Sequence, residues 1–247
     1  MTNFPYVLED DPTPRLGLVA LQVDETIEGD FRCLFPPAVA RLHVTRVPSG
    51  AELTPDTIAA MALTLPAAAA LLPPAAAFDV VAYGCTSGTT LIGAERVHTL
   101  LKGATRTAET SDPLTAALAA FRHLGVRRVS VVSPYIAPVA LPIRHAFEAG
   151  GLTVPDTLSF GEEIESRVAR IAPASITDAA RHLARESAPD ALFLSCTNLR
   201  TLDILAPLER ELGLPVLSSN QVLAWHMAQL AGIDMPEGDF GALLSRG

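Results

Sequence analysis

The chain has 247 residues, enough for one large domain or for two lobes of roughly a hundred residues each. Its formal net charge of −9 offers no basic field for phosphates, which argues against nucleic acid as a partner. Apolar residues make up 49% and aromatic ones 5%, mostly Ala, Leu and Val, a composition suited to helices packed on a buried parallel sheet.

Met1–Arg15 lacks a positive region followed by an apolar core, so a cytoplasmic protein is expected rather than a secreted one. Leu16–Leu21 and Leu42–Val47 then read as strands, and Thr54–Leu72 as a helix. Thr57–Phe78 contains no charged residue and is long enough to raise a membrane span. Pro66 and Pro73-Pro74 interrupt that run, and Asp56 and Asp79 flank it, so a buried helix and a turn are expected and no membrane partner. Further strands are predicted at Asp79–Tyr83, Arg128–Ser133, Ala191–Ser195 and Val216–Ser218. Helical patterns lie at Thr89–Leu101, Asp112–Leu124, Val139–Gly150, Pro173–Ser187, Thr201–Leu212 and Asn220–Ala231. Asp112-Pro113 reads as an N-cap with Pro at the first helical position, and Gly125 as a stop. Such alternation predicts βαβ units and a mostly parallel sheet.

FDVVAYGCTSGTTL (Phe78–Leu91) and PDALFLSCTNLRTL (Pro189–Leu202) are alike in pattern. Each has an Asp, a buried strand, Cys-Thr and the start of a helix, with Asp79 six residues before Cys85 and Asp190 six before Cys196. The expected fold is therefore α/β: two pseudo-symmetric Rossmann-like lobes, each a mostly parallel sheet flanked by helices, with the active site in the cleft between them. The first lobe is expected over residues 1–115, with a C-terminal helix at 220–247 packing back on it, and the second over 116–219. Ligands of open α/β sheets bind at the carboxyl ends of the strands, where both cysteines fall.

Three cysteines at unrelated spacings make neither a disulfide framework nor a zinc site, and the six histidines show no HxxxH pairing. The thiols are expected reduced, and no metal is expected. Cys33, with no motif around it, reads as a buried packing residue. Cys85 and Cys196 at helix starts would feel unpaired N–H groups that lower a thiol pKa from about 8.5 toward neutrality. Thr86, Ser87, Thr197 and Asn198 could hold a carboxylate or a developing enolate. Two thiols facing one carbon allow two-base proton transfer, or covalent addition by one with the other handling the proton. GCTSG is not a nucleophile elbow, and there is no GxGxxG after the first strand and no P-loop, so no cofactor is expected.

YGCTSGTT, FLSCTNLRT and VVSPYIAP together resemble the aspartate/glutamate racemase superfamily. Within it they are similar to maleate cis–trans isomerases, arylmalonate decarboxylases and the related ectoine-utilisation proteins, over about Leu16–Ala231. The resemblance implies a cofactor-independent isomerase acting on a small carboxylate. Cys85 would be the nucleophile or one base, and Cys196 the proton-handling thiol. Tyr135 would bond a substrate carboxylate, with Thr86 and Ser87 as donors to it. Arylmalonate decarboxylases lack the first cysteine, so Cys85 argues against simple decarboxylation.

Two positions depart from the maleate isomerase pattern. LQVDETIE (Leu21–Glu28) puts Asp24 where those enzymes carry a carboxylate-binding Asn, and FGEEIESRVAR offers Glu162, Glu163 and Glu165 where a second Asn is expected. An ionised acid repels a carboxylate instead of donating to it. A substrate with one carboxylate and a cationic group is therefore expected over a dianion, with Asp24 and Glu165 among its binding residues. QVDETIE also resembles the ectoine-utilisation branch, which implies a racemase or epimerase acting on an amino-acid-like intermediate. Maleate isomerisation by covalent Cys85 addition, decarboxylation and a non-catalytic binding protein are the alternatives. The superfamily resemblance implies a homodimer or higher homo-oligomer.

Overall fold

The computed structural model describes residues 3–50, 54–236 and 238–245. In chain order the elements are β1 (Arg15–Leu21), α1 (Ile27–Leu34), β2 (Arg41–Val47), α2 (Pro55–Ala69), β3 (Phe78–Gly84), α3 (Thr86–Ile92), α4 (Ala94–Ala104), β4 (Thr107–Ser111) and α5 (Pro113–His123). They continue with β5 (Val129–Ser133), α6 (Ala137–Ala149), β6 (Thr157–Ser159), α7 (Glu165–Val168), α8 (Pro173–Ser187), β7 (Ala191–Leu194), α9 (Leu202–Leu212), β8 (Val216–Ser218) and α10 (Ser219–Ala231).

The strands form two four-stranded sheets of the same order, β2-β1-β3-β4 and β6-β5-β7-β8, with every pairing parallel. Position by position the second repeats the first, as an α/β fold of two pseudo-symmetric halves requires. The inner strands are continuous apolar runs such as LGLVAL and ALFL, buried on both faces. Their lower ends are tied alike. Asp79 Oδ2 accepts the Arg15 N–H at 2.7 Å, and Asp190 Oδ2 accepts those of Arg127 and Arg128 at 3.0 and 2.8 Å. The repeated Asp is thus a staple between neighbouring strands.

Local signals explain most helix ends. The Asp112 carboxylate accepts the Leu114 and Thr115 N–H groups with Pro113 in the first turn, and Thr54–Thr57 and Ser218–Gln221 form capping boxes. Several expectations fail in instructive ways. The single helix expected over Thr89–Leu101 is two, because Gly93 at φ 94° turns the chain between α3 and α4. The C-terminal helix expected over 220–247 stops at Ala231, where Gly232 takes the left-handed conformation, and part of its expected range lies outside the described residues. β4 (TAETS) and β6 (TLS) are short, polar-rich edge strands without an apolar signature, and α1 and the four-residue α7 are too short to show a period. Cys33 lies exposed on α1 rather than buried.

The second half is packed around a triad of edge-to-face rings: Phe121, Phe147 and Phe193, with centroids 5.3 to 5.7 Å apart. α10 packs against α5, β3, β4 and α1. Among the described residues no helix is long and apolar enough to cross a membrane, and no group of His, Cys, Asp and Glu is arranged to hold a metal ion.

Candidate active site

Cys85 follows β3 and Cys196 follows β7, the equivalent strands of the two sheets, and both are buried. The two turns are joined directly. The Thr197 hydroxyl donates to the Gly84 carbonyl at 3.3 Å. The Thr86 hydroxyl donates to Ser219 Oγ at 2.8 Å, and the same oxygen accepts the Cys196 N–H at 3.1 Å. Ser219, the first residue of α10, thereby ties the two Cys-Thr turns together. No sequence signal marked it beyond its place at a helix start.

Cys85 is the N-cap of α3, and its Sγ accepts the Gly88 N–H at 3.2 Å, with Ser87 Oγ 3.6 Å away. Residue 88 must be glycine for this approach: a Cβ there would stand 2.5 Å from the Tyr83 hydroxyl and 2.9 Å from Cys85 Sγ. Cys196 differs from the sequence expectation. It starts no helix; a turn follows it and α9 begins at Leu202. Its φ of 155° is rare for a non-glycine residue, and its thiol receives a 3.4 Å contact from the Asn198 N–H. Tyr135, fully buried after β5, lies beside both thiols; burial first, then Cys196 and Cys85, push its hydroxyl well above its ordinary pKa.

The two acids singled out by sequence are both buried here, each 2% exposed. Asp24 Oδ1 accepts the Thr26 and Ile27 N–H groups at 2.8 Å each, while Oδ2 is buried and the Thr197 hydroxyl also acts on the carboxylate. Burial raises its pKa. Arg46 props this loop from below, donating to the Leu21 and Asp24 carbonyls at 3.0 and 2.7 Å. Glu165 heads α7; Oε1 accepts from Asn198 Nδ2 at 3.0 Å and Oε2 is buried and unpaired. Burial, and then the Asp24 charge, raise its pKa to about 7. Of its neighbours, Glu162 is taken by Arg167 at 3.0 Å and Glu163 is solvated, so Glu165 is the acid that faces inward.

Cys85 and Cys196 are 2% and 4% exposed, so the cleft is closed over both thiols, and a cavity of only about 10 Å³, close to the size of a single water site, lies nearby between Ser87, Glu165, Leu21, Val23, Ile58 and Met61. Larger grooves, such as one of about 220 Å³ beside Pro73, Pro74 and Arg106, lie away from the cysteines.

This closure reverses the expected thiol electrostatics. Burial raises Cys85 to about 11, against the pull of Ser87 and the Gly88 N–H, with Glu165 adding to the rise. Burial and then Glu165 push Cys196 well up too. Desolvation exceeds what a few N–H groups return, so burial favours the protonated form of both thiols. The Asn198 amide, expected to face substrate, is occupied on both ends: Oδ1 accepts the Glu25 N–H at 2.8 Å and Nδ2 donates to Glu165.

Residues 51–244 match the family model described as arylmalonate decarboxylase. The chain belongs to the arylmalonate decarboxylase family. The arylmalonate decarboxylase of Bordetella bronchiseptica is 37% identical over 120 residues, 48% of this chain and 50% of that protein, so this match spans about half the relative's length. The maleate isomerase of Nocardia farcinica is 28% identical over 233 residues, covering 90% of this chain and 91% of the relative. In structure, the N. farcinica maleate cis–trans isomerase mutant with a covalently bound succinylcysteine intermediate superposes with TM-score 0.84 at 26% identity, over 94% of this chain and 98% of that one. A mutant of arylmalonate decarboxylase in the liganded form gives TM-score 0.83, also at 26% identity and the same coverage. These relatives include both isomerases and a decarboxylase, and membership of the family makes this chain an enzyme.

Proposed function

We propose that this enzyme is a cofactor-independent isomerase of the racemase or epimerase type, exchanging the proton on a carbon next to a carboxylate in an amino-acid-like substrate. The observation that carries the reading is the pair of buried acids, Asp24 and Glu165, with Glu165 Oε2 buried and unpaired and both carboxyls acting on the buried Cys196. A buried acceptor without a donor is costly, and a substrate ammonium supplies the missing donors. Arrival of that cation also offsets the negative field that opposes thiol ionisation. Cys85 as thiolate then removes the α-proton from one face, and the Cys196 thiol gives its proton to the opposite face of the enediolate. The Ser87 hydroxyl at the cavity and the Tyr135 phenol beside both thiols serve as donors to the carboxylate. Similarity of QVDETIE to the ectoine-utilisation proteins supports a 2,4-diaminobutyrate-type substrate from ectoine or hydroxyectoine breakdown. We further propose that residues 1–115 with the C-terminal segment 220–247 make one lobe and 116–219 the other, and that the enzyme works in the cytoplasm as a homodimer or higher homo-oligomer.

A second reading is favoured by the succinylcysteine intermediate of the N. farcinica relative: Cys85 adds covalently to maleate, and rotation about the former double bond followed by elimination yields fumarate.

The test is α-proton loss in D₂O followed by NMR, with diaminobutyrate, its N-acetyl and 3-hydroxy derivatives, aspartate and maleate, for wild type, Cys85→Ala and Cys196→Ala. Exchange on a diaminobutyrate-type compound is expected to fall at least ~10³-fold in either variant, the scale of a lost general acid or base. Two-way racemisation that survives in a single variant defeats the two-base reading. Conversion of maleate alone, with a Cys85 adduct by intact mass, replaces it with the second.

A further inference from the structure

The residue that joins the most parts of this site is one that touches no empty space. Asn198 is fully buried. Its Oδ1 accepts the Glu25 N–H at 2.8 Å, in the loop after β1 that carries Asp24. Its Nδ2 donates to Glu165 twice, to the backbone oxygen at 3.2 Å and to Oε1 at 3.0 Å. Its backbone N–H points at Cys196 Sγ at 3.4 Å, and its carbonyl accepts the Thr26 hydroxyl at 3.0 Å. Only a group with an acceptor at one end and a two-proton donor at the other satisfies both sides; an Asp has no donor and a Leu has neither. One layer out, the same two segments meet again: Arg170 donates to both Glu25 oxygens, at 2.8 and 3.3 Å. That outer pair is 64% and 51% exposed, where ion pairs contribute little.

We propose that Asn198 is the positioning residue of this site: its amide clasps the Asp24–Thr26 loop of the first half to Glu165 of the second, holding the cleft shut over the cysteines and turning the free Glu165 oxygen toward the substrate. The proposal rests on the reading of Glu165 as a recognition group, but the clasp itself does not. Cys85 and Cys196 are 2% and 4% exposed, so substrate reaches them only when the cleft parts, and the Asn198 bonds are contacts that such parting must break. Asn198 therefore sets how often the cleft opens and where Glu165 stands when it closes.

The test reads thiol accessibility, not turnover, so its failure is separable from failure of the proposed reaction. Alkylation by iodoacetamide is followed residue by residue by peptide mass spectrometry, with the exposed Cys33 as internal standard. In wild type, Cys85 and Cys196 are expected to react at least about a hundredfold more slowly than Cys33, in keeping with their burial and raised pKa. Asn198→Ala and Asn198→Asp should each accelerate Cys196 at least about tenfold, leaving Cys33 unchanged. Asn198→Asp combined with Glu165→Gln should recover most of the protection, since the new carboxylate accepts from the new amide and rebuilds the clasp in reverse. Arg170→Ala should change the rate less than about threefold. Equal Cys196 rates in Asn198→Asp and the double variant, or a wild-type rate in Asn198→Ala, overturn the assignment. So does a tenfold acceleration by Arg170→Ala, which would move the closure to the outer pair.

Discussion

The two cysteine turns occupy equivalent places in a repeated fold and yet are built differently. Cys85 caps a helix, takes a 3.2 Å N–H from Gly88, and has a hydroxyl 3.6 Å away. Cys196 caps nothing, holds a rare φ of 155°, spends its own N–H on Ser219, and relies on the Tyr135 hydroxyl and a longer 3.4 Å contact from the Asn198 N–H. Both feel Glu165, but for Cys196 that charge is the first influence after burial, and Asp24 adds to it. Topological symmetry thus delivers two thiols to one place, and local asymmetry divides the labour. Cys85 has the better thiolate stabilisers and suits the proton-abstracting or nucleophilic role. Cys196, facing acids, keeps its proton and suits the donor.

The largest effect that would break this comparison is expected from Gly88→Ala. The added methyl would clash with the Tyr83 hydroxyl and with Cys85 Sγ. Overpacking of this kind costs about 1–3 kcal/mol, and a better helix propensity returns at most about 1. Thermal unfolding should show the net loss. Turnover should fall more than stability alone explains, at least ~10-fold, because relieving the clash moves the residue 88 N–H away from the Cys85 thiol. A fully active variant would show that the cap on Cys85 is incidental.

Next is the pH dependence that the acids impose. Glu165 rises from 4.5 to about 7 on folding, so between those values the folded state binds more protons than the unfolded one. Stability therefore falls as pH rises through this window, by up to roughly 3 kcal/mol at about 1.4 kcal/mol per pH unit. Asp30, raised to about 7 mainly by burial, contributes with the same sign. Denaturant unfolding at pH 5 and pH 8 should show wild type less stable at the higher pH, and Glu165→Gln should remove part of that difference, the rest coming from Asp30 and Asp24, which burial also raises. A Glu165→Gln slope equal to wild type would mean that the charge next to Cys196 is already neutralised by something else.

The smallest effect sharpens the symmetry itself. Asp190 holds two N–H groups and Asp79 one, at the same point of the two sheets. Asp190→Ala should cost about 1–2 kcal/mol and Asp79→Ala about half that, with turnover unchanged in both. Chemical denaturation gives the comparison; a reversed order would deny that the two staples are equivalent.

Much of this was legible in the chain. Continuous apolar runs marked the inner strands, Asp112-Pro113 and Gly125 marked the ends of α5, and the repeated Asp-to-Cys spacing brought Cys85 and Cys196 to equivalent strand ends. Asp24 and the group Glu162, Glu163 and Glu165 stood out because acids replaced amides in a pattern that binds carboxylates. The edge strands β4 and β6 were not legible, because an edge pairs through backbone atoms and needs no apolar side chains. Ser219 was missed for a similar reason: a serine at a helix start is ordinary until two distant turns are brought against it.

The order of elements, the two halves and the residues able to do chemistry are thus properties of the sequence, since strand burial, capping and turn formation act over a few neighbours. The protonation state of the thiols, the burial of Glu165 against Asn198, and the clasp made by Asn198 depend on partners distant in the chain, 33 residues away for Glu165 and 173 for Glu25. Only tertiary packing determines how far a group is removed from water and which dipole faces it. Those two quantities reversed the expected pKa shift at Cys85, because the loss of hydration on burial outweighed the few N–H groups that the local sequence supplied.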